Sequence, residues 1–498
     1  MTITTCTLAT SPACLSVPGP PAMPIVGPKG NVFRFISDPV GHTSHLFKTY
    51  GPIVALAAGG GTNFYSPERN CPGTVFICGP ALIRQVTTQH EIYYKYPLTA
   101  TLYRKRETAP RTEPLKHVGV GLFGVNSDEH RQQRRLLMPT FHKKRIEAYR
   151  DDMVTITQQE LDQWQDGEQR NICKAMQMLT MRVVTKTLFG EDIEQNGSEA
   201  VQTLQDALIL LASPLTTLLP FDLPGLPYHH FLDLVGRFDG QMRAILARKR
   251  ATGANGRDML SMLIRAHDEE SGATLSEDEL LGHIGVFFAA GHETSANALT
   301  WTLFLLAQHP QVAADLLDEL QSVLYGEAPT VEQLQHLPLL DRVVKESMRV
   351  LPPSPLQWRV TSQMTEIGGY ALPSGTELII STYQTHHMPE IYPQPKVFTP
   401  ARWEAISPSV FEYNPFSAGP RMCIGASFAI MEIKIVLALL LQRYRLQCLP
   451  RPLVNRFGLM IITPKGGLPM IVQKQDRQFA HGVGGVRGNV REMVELPI

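Results

Sequence analysis

A chain of 498 residues can build one large domain or two, and no Ser/Gly-rich or Pro-rich linker divides its middle. Lys plus Arg and Asp plus Glu each number 46, so the formal charge is zero and a nucleic-acid partner is not expected. The seven cysteines are odd in number, widely spaced and without the paired spacing of a zinc site, which fits a reducing compartment.

Residues 1–17, MTITTCTLATSPACLSV, hold no basic segment followed by a long apolar run, so they read as a flexible N-terminus with neither signal peptide nor anchor. A soluble, cytoplasmic, bacterial-type protein is expected. Strands are predicted at IVALAA (53–58) and TVFICG (74–79). The stretch ALILLASPLTTLLPF (207–221) is strongly apolar, but Pro214 and Pro220 interrupt it and it is too short to span a bilayer. It reads as core, as a lipophilic mouth, or as a surface over 207–228 that touches a membrane.

Ser276 followed by Glu279 is a capping box, and no proline interrupts the pattern from 277 to Gln308 until Pro310. Such a helix is roughly 48 Å long, enough to cross the molecule. A second helix is predicted over Leu339–Leu351, ended by Pro352 and Pro353. Further strands are predicted near 366–371, 376–382 and 457–473. Between them IGASFAIMEIKIVLALLLQRY is apolar on nearly every side except at Glu432 and Lys434, the pattern of a buried helix. The fold class is mainly α with small β-sheets, in a single domain over 18–475. Residues 476–498, with HGVGGVRGNV, read as a disordered tail.

Ahead of that last helix stands FSAGPRMCIGASFA (416–429). A thiolate at Cys423 needs backbone N–H groups and a nearby cation to keep its charge in an apolar pocket. Gly419 and Gly425 let the loop close around the sulfur and let the helix begin beside a flat ligand, and the helix dipole favours the anion. Arg421 reaches toward a carboxylate. Haem, with an axial thiolate and propionates, satisfies all of these demands.

The stretch resembles the haem-binding signature of the cytochrome P450 family, Phe-x-x-Gly-x-Arg-x-Cys-x-Gly, filled by Phe416, Gly419, Arg421, Cys423 and Gly425. On the long helix, Ala290-Gly291-His292-Glu293-Thr294 is similar to the family's oxygen-activation motif. Splitting dioxygen takes two protons, which the Thr294 hydroxyl, fed by water and the Glu293 acid, can deliver, while Gly291 loosens the helix to admit oxygen. Glu346 and Arg349, in KESMR, match the family's Glu-x-x-Arg pair, and Arg402, in FTPARW, its third member. Ala401 and Trp403 depart from the usual acidic and Phe neighbours of that arginine.

The resemblance implies a triangular helical prism. Haem b lies between the long helix and the helix after the cysteine loop, with Arg421, Arg359, His130 and Arg134 toward its propionates. His130 stands where many relatives have tryptophan. It also implies a monooxygenase that places one atom of dioxygen in a lipophilic fatty acid, terpene or similar molecule. The substrate walls include Phe287, Phe288, Ala290, Pro355, Leu356 and Pro464. Electrons come from a separate donor, a ferredoxin with its reductase, steered by Arg131, Arg135, Lys143 and Lys144. The protein is expected to be a monomer with no membrane-spanning segment. A peroxygenase or isomerase of the same family, and a non-catalytic haem gas sensor, are the alternative readings.

Overall fold

The computed structural model describes residues 15–68, 70–97, 110–117, 121–190, 197–211, 213, 215–216, 219–268 and 272–498. Within the span predicted as one domain, the chain divides into two compact units. The first comprises Met1–Tyr94, Met153–Leu179 and Glu293–Ile498, and the second Lys95–Asp152 and Thr180–His292. Residues 1–14 of the expected flexible N-terminus lie outside the described residues, whereas Leu15 and Val17 are buried in the first unit.

The sheets belong to the first unit. β1 (Ile53–Ala55), β2 (Thr74–Ile77), β8 (Glu377–Ser381), β5 (Leu356–Thr361) and β3 (Tyr93–Tyr94) lie side by side in that order. β2 pairs with β8 in parallel and β5 with β8 antiparallel. A buried acid pins one end: the Glu377 carboxylate accepts from the backbone N–H groups of Phe64 (2.8 Å), Ser66 (2.6 Å) and Tyr65, and from the Thr74 hydroxyl (2.6 Å). Charge-assisted donors of this kind replace the water that the carboxylate loses. β6 (Thr365–Ile367) and β7 (Tyr370–Leu372) form a hairpin turning at Gly368 and Gly369, both at positive φ as a two-residue turn of this hand requires. β12 (Pro469–Lys474) lies between β4 (Gln169–Asn171) and β9 (Tyr444–Cys448), and β10 (Arg456–Phe457) pairs with β11 (Thr463–Pro464). β5 and β9 were not predicted: each is buried at all but one position and so lacks the alternation that marks half-buried strands.

The tail is a correction. Val490, Met493 and Val494 are fully buried in the first unit. Glu495 N–H donates to the Lys396 carbonyl (2.8 Å), Gly484 N–H to Gln308 Oε1 (2.9 Å), and Arg456 Nη2 to both Asp38 (2.9 Å) and Glu492 (2.7 Å). The glycine-rich composition masked these three apolar side chains, spaced to seat on the core.

In the second unit, helices Gly197–Leu211 and Pro227–Ala251 pack around Ala207, Tyr228, Phe231, Leu232 and Val235. Ile209, near the end of the first helix, and Leu215, Leu219, Phe221 and Leu223, between the two, are exposed, so these members of 207–228 are surface rather than core; Pro214 lies outside the described residues. The long helix runs Glu277–Gln308 as predicted, and its start is the predicted capping box. Ser276 N–H and hydroxyl donate to Glu279 Oε2 (2.7 and 2.8 Å), and Glu279 N–H returns a bond to the Ser276 hydroxyl (3.3 Å). Backbones approach closely where Gly121 meets this helix, since a Cβ there would lie 2.6 Å from the Gly282 carbonyl oxygen. No helix among the described residues is long and apolar enough to cross a membrane.

Candidate active site

The cysteine loop closes on itself. Cys423 N–H donates to the Phe416 carbonyl (2.9 Å), and Met422 N–H to the Gly419 carbonyl (2.9 Å) across a short 3-10 turn. Gly419 has φ +68, and a Cβ would come within 2.2 Å of the Thr87 carbonyl oxygen, so conformation and space both demand glycine. Gly425 caps the helix Ala426–Arg443 at φ −90, ψ 11, which other residues also adopt, so only its missing Cβ is left to explain its choice. Cys423 is exposed, while Cys71, Cys78, Cys173 and Cys448 are buried. Burial pushes the Cys71 and Cys78 thiols up to about 12 and Cys448 to about 11, which leaves them inert. Cys423 instead lies two residues before the positive end of a helix, in the setting a thiolate ligand needs.

Two buried arginines accompany it in the first unit. Arg421 closes the turn. Arg359, on β5, is 2% exposed, and its Nη1 donates to the Trp358 carbonyl (2.7 Å). Among the described residues no carboxylate pairs with Arg359, and burial pulls its pKa below the usual range, opposed only by Tyr65. A desolvated guanidinium without an acid is costly until an anion arrives. That deficit fits a haem propionate, so the residues present suit the group. His130 and Arg134 share a face of the second unit's helix Ser127–Leu137, His130 buried and Arg134 half-buried.

The Glu-x-x-Arg expectation resolves into a full network. Arg349 grips Glu346 through Nε and Nη2 (2.9 Å each), and Arg402 Nε donates to the same carboxylate (2.9 Å). Thr399 N–H (3.0 Å) and the Trp403 indole N–H (3.0 Å) complete it. The residue that departs from the usual Phe thus supplies a donor. The remaining guanidinium protons go to the carbonyls of His386, Pro395, Pro393 and Val397, which fixes the segment between β8 and the cysteine loop.

The long helix carries the expected acid and hydroxyl in its first-unit half. Burial holds the Glu293 carboxyl above its ordinary range, so it keeps a proton more readily than a surface acid. In the second unit Gly291 has a packing reason as well: a Cβ would lie 2.5 Å from Val184 Cγ2. His292 donates Nδ1–H to the Phe288 carbonyl of its own helix (2.8 Å) and packs on that ring, a core role. Phe287 and Phe288 face different ways. Phe288 packs with Phe189, Phe238, Met242 and Ile284 around a narrow apolar crevice too small for a water molecule, whereas Phe287 stands edge-on to Phe141. Pro355, Leu356 and Pro464, expected walls, are buried in the first unit.

Sequence reasoning passed over one group. Glu432, one of two charged residues noted on the apolar helix, is fully buried, and among the described residues neither carboxyl oxygen has a partner within hydrogen-bond geometry. Burial pushes it up to about 8, against a smaller pull from Ser295, the residue after Thr294. The signal was present in the sequence as an acid with apolar neighbours on every side. The steering cations fare less well. Arg131 is paired with Asp128, Arg135 with Asp268 (3.1 Å) and Lys143 with Glu147 (3.8 Å), which offsets much of their field.

A family model described as Cytochrome P450 matches residues 17–470. Cyclooctat-9-en-7-ol 5-monooxygenase of Streptomyces melanosporofaciens is 30% identical over 82% of this chain and 88% of its own. Pentalenene oxygenase of Streptomyces avermitilis is 28% identical over 86% and 91%. Among solved structures, a retinoic acid bound cyanobacterial cytochrome P450 superposes with a TM-score of 0.77 at 24% identity, covering 93% of this chain and 99% of that one.

Proposed function

The chain belongs to the cytochrome P450 family and is a haem-dependent monooxygenase, and on that premise we propose that it hydroxylates or epoxidises a lipophilic small molecule of the fatty-acid or terpene class. The observation that carries the reading is the pairing of an exposed Cys423 at a helix start with the buried, acid-free Arg359. Haem supplies the binding and reductive splitting of dioxygen. Cys423 would ligate the haem iron, Arg421 and Arg359 would pair with the propionates, a role the family resemblance also assigns to His130 and Arg134, and Phe416, Gly419 and Gly425 would shape the loop. Glu293 keeps a proton on its buried carboxyl and the Thr294 hydroxyl passes it toward the oxygen side, with Gly291 giving the helix room. Glu346, Arg349 and Arg402 are structural.

Phe287, Phe288 and Ala290 in the second unit and Pro355, Leu356 and Pro464 in the first are the residues the family resemblance assigns to the substrate walls, and their apolar character suits a lipophile. Two relatives bear the names of a cyclooctatenol monooxygenase and a pentalenene oxygenase, which favours terpenes. Electrons come from a ferredoxin and its reductase to a cytoplasmic monomer. The exposed Ile209, Leu215, Leu219, Phe221 and Leu223 give 207–228 a peripheral grip on membranes that store such substrates.

The test is turnover of a fatty acid and a monoterpene with surrogate ferredoxin and reductase under isotopically heavy dioxygen. One labelled oxygen in product, lost in Cys423→Ala, is expected. Product from peroxide alone would make it a peroxygenase, and bound carbon monoxide without labelled product would make it a gas sensor.

A further inference from the structure

His283 lies two turns upstream of the oxygen-activation motif, in the second-unit part of the long helix, and no role considered so far uses it. It is 0% exposed. Leu122 N–H donates to its Nδ1 (3.3 Å), which makes Nδ1 an acceptor and places the ring proton on Nε2. Burial pulls its pKa down to about 4, with Glu279 opposing, so the ring is neutral near pH 7. Among the described residues Nε2 has no hydrogen-bond partner. A buried N–H without an acceptor is costly, and a native structure that keeps one has a use for it.

The surroundings indicate the use. His283, Phe287 and Ala290 recur at i, i+4 and i+7, so they share one helix face. Phe287 stacks on the imidazole (centroids 5.9 Å apart, 25° between planes). Phe287 and Ala290 are only half-buried although they lie mid-helix, so the face borders open space at those two positions, and the fully buried His283 closes its end. The segment Gly121–Gly124 is clamped to the same helix beside His283 by the Gly121–Gly282 approach and the Leu122 bond. The result is an apolar strip with one neutral donor at its end, about 10 Å along the helix from Ala290.

Resting on the reading of a lipophile monooxygenase, we infer that His283 Nε2–H anchors a neutral oxygen acceptor, a hydroxyl or carbonyl, at the far end of the substrate. The substrate is then a lipophile that already carries one oxygen. A carboxylate is disfavoured because Glu279, one turn away, repels it. A preceding reaction that leaves one oxygen on the carbon skeleton, by oxidation, hydration or hydrolysis of an ester, must supply such a substrate.

The experiment titrates the haem-loaded full-length protein with farnesol, its hydrocarbon counterpart farnesene, and farnesoic acid, reading dissociation constants from the haem absorption shift. In the wild type the alcohol is expected to bind about tenfold tighter than the hydrocarbon, with the acid weakest. His283→Asn keeps an acceptor for Leu122 but withdraws the donor at Nε2, and should erase the alcohol preference. His283→Gln keeps a donor there and should retain it. Equal binding of alcohol and hydrocarbon, or a preference that survives in His283→Asn, overturns the anchor alone. No shift with any of the three in the wild type overturns the lipophile reading, and the anchor with it.

Discussion

Glu346 and Glu432 are the same residue type, both fully buried in the first unit, and the structure treats them in opposite ways. The Glu346 carboxylate accepts from two arginines, an indole and a backbone amide, so it is a paired ion. Among the described residues Glu432 faces no cation and no donor within hydrogen-bond geometry, only the Ser295 hydroxyl nearby, so it survives by holding its proton. Burial alone does not set the charge of a carboxyl; the donors around it do. One acid is a rivet, and the other is a store of a single proton beside Ser295.

The sharpest way to break the contrast is Arg349→Met, which leaves Glu346 short of its bidentate partner. A loss of about 4 kcal/mol is expected in urea unfolding, with little haem retained, because an ion is left buried without compensation. Retention of wild-type stability would mean that Arg402 and Trp403 suffice.

Glu432 predicts a pH dependence of known sign. Its folded-state pKa of about 8 lies above the ordinary 4.5, so the stability it contributes is full below pH 4.5 and is lost as pH rises to about 8. In that window the wild type should lose stability steadily relative to Glu432→Gln, whose profile lacks this slope. Thermal melts of both proteins at stepped pH measure it, and parallel profiles would place the acid among unseen donors.

Trp403→Phe restores the residue the family pattern uses and removes one donor from a charged acceptor. It should cost about 1.5 kcal/mol without loss of haem, the smallest effect of the three. A neutral result would show the indole bond to be idle.

What the sequence disclosed follows from how local each signal is. The long helix was legible to the residue because its capping box and Pro310 act over three or four positions. The Glu346–Arg349 pair was legible because i, i+3 spacing fixes a shared face. The role of Trp403 was hidden, since its donor reaches Glu346 only after a loop fifty residues downstream has folded back. Val490, Met493 and Val494 were hidden by the glycines around them, and β5 by burial on both faces. His283 gave no signal at all: a lone histidine on an apolar helix is ordinarily core, and only the bond from Leu122 shows which nitrogen keeps the proton.

The bond from Thr74 to Glu377 joins positions 303 apart, and β2 pairs in parallel with β8 across the same span. During synthesis the β1–β2 ribbon therefore emerges long before the strand that covers its open edge. Until then its row of unpaired amides and carbonyls is exposed to any other nascent chain. Refolding from denaturant must close the same distance and should be slow and concentration-sensitive. A chaperone that shields that edge would raise the yield more than one that acts on the helices.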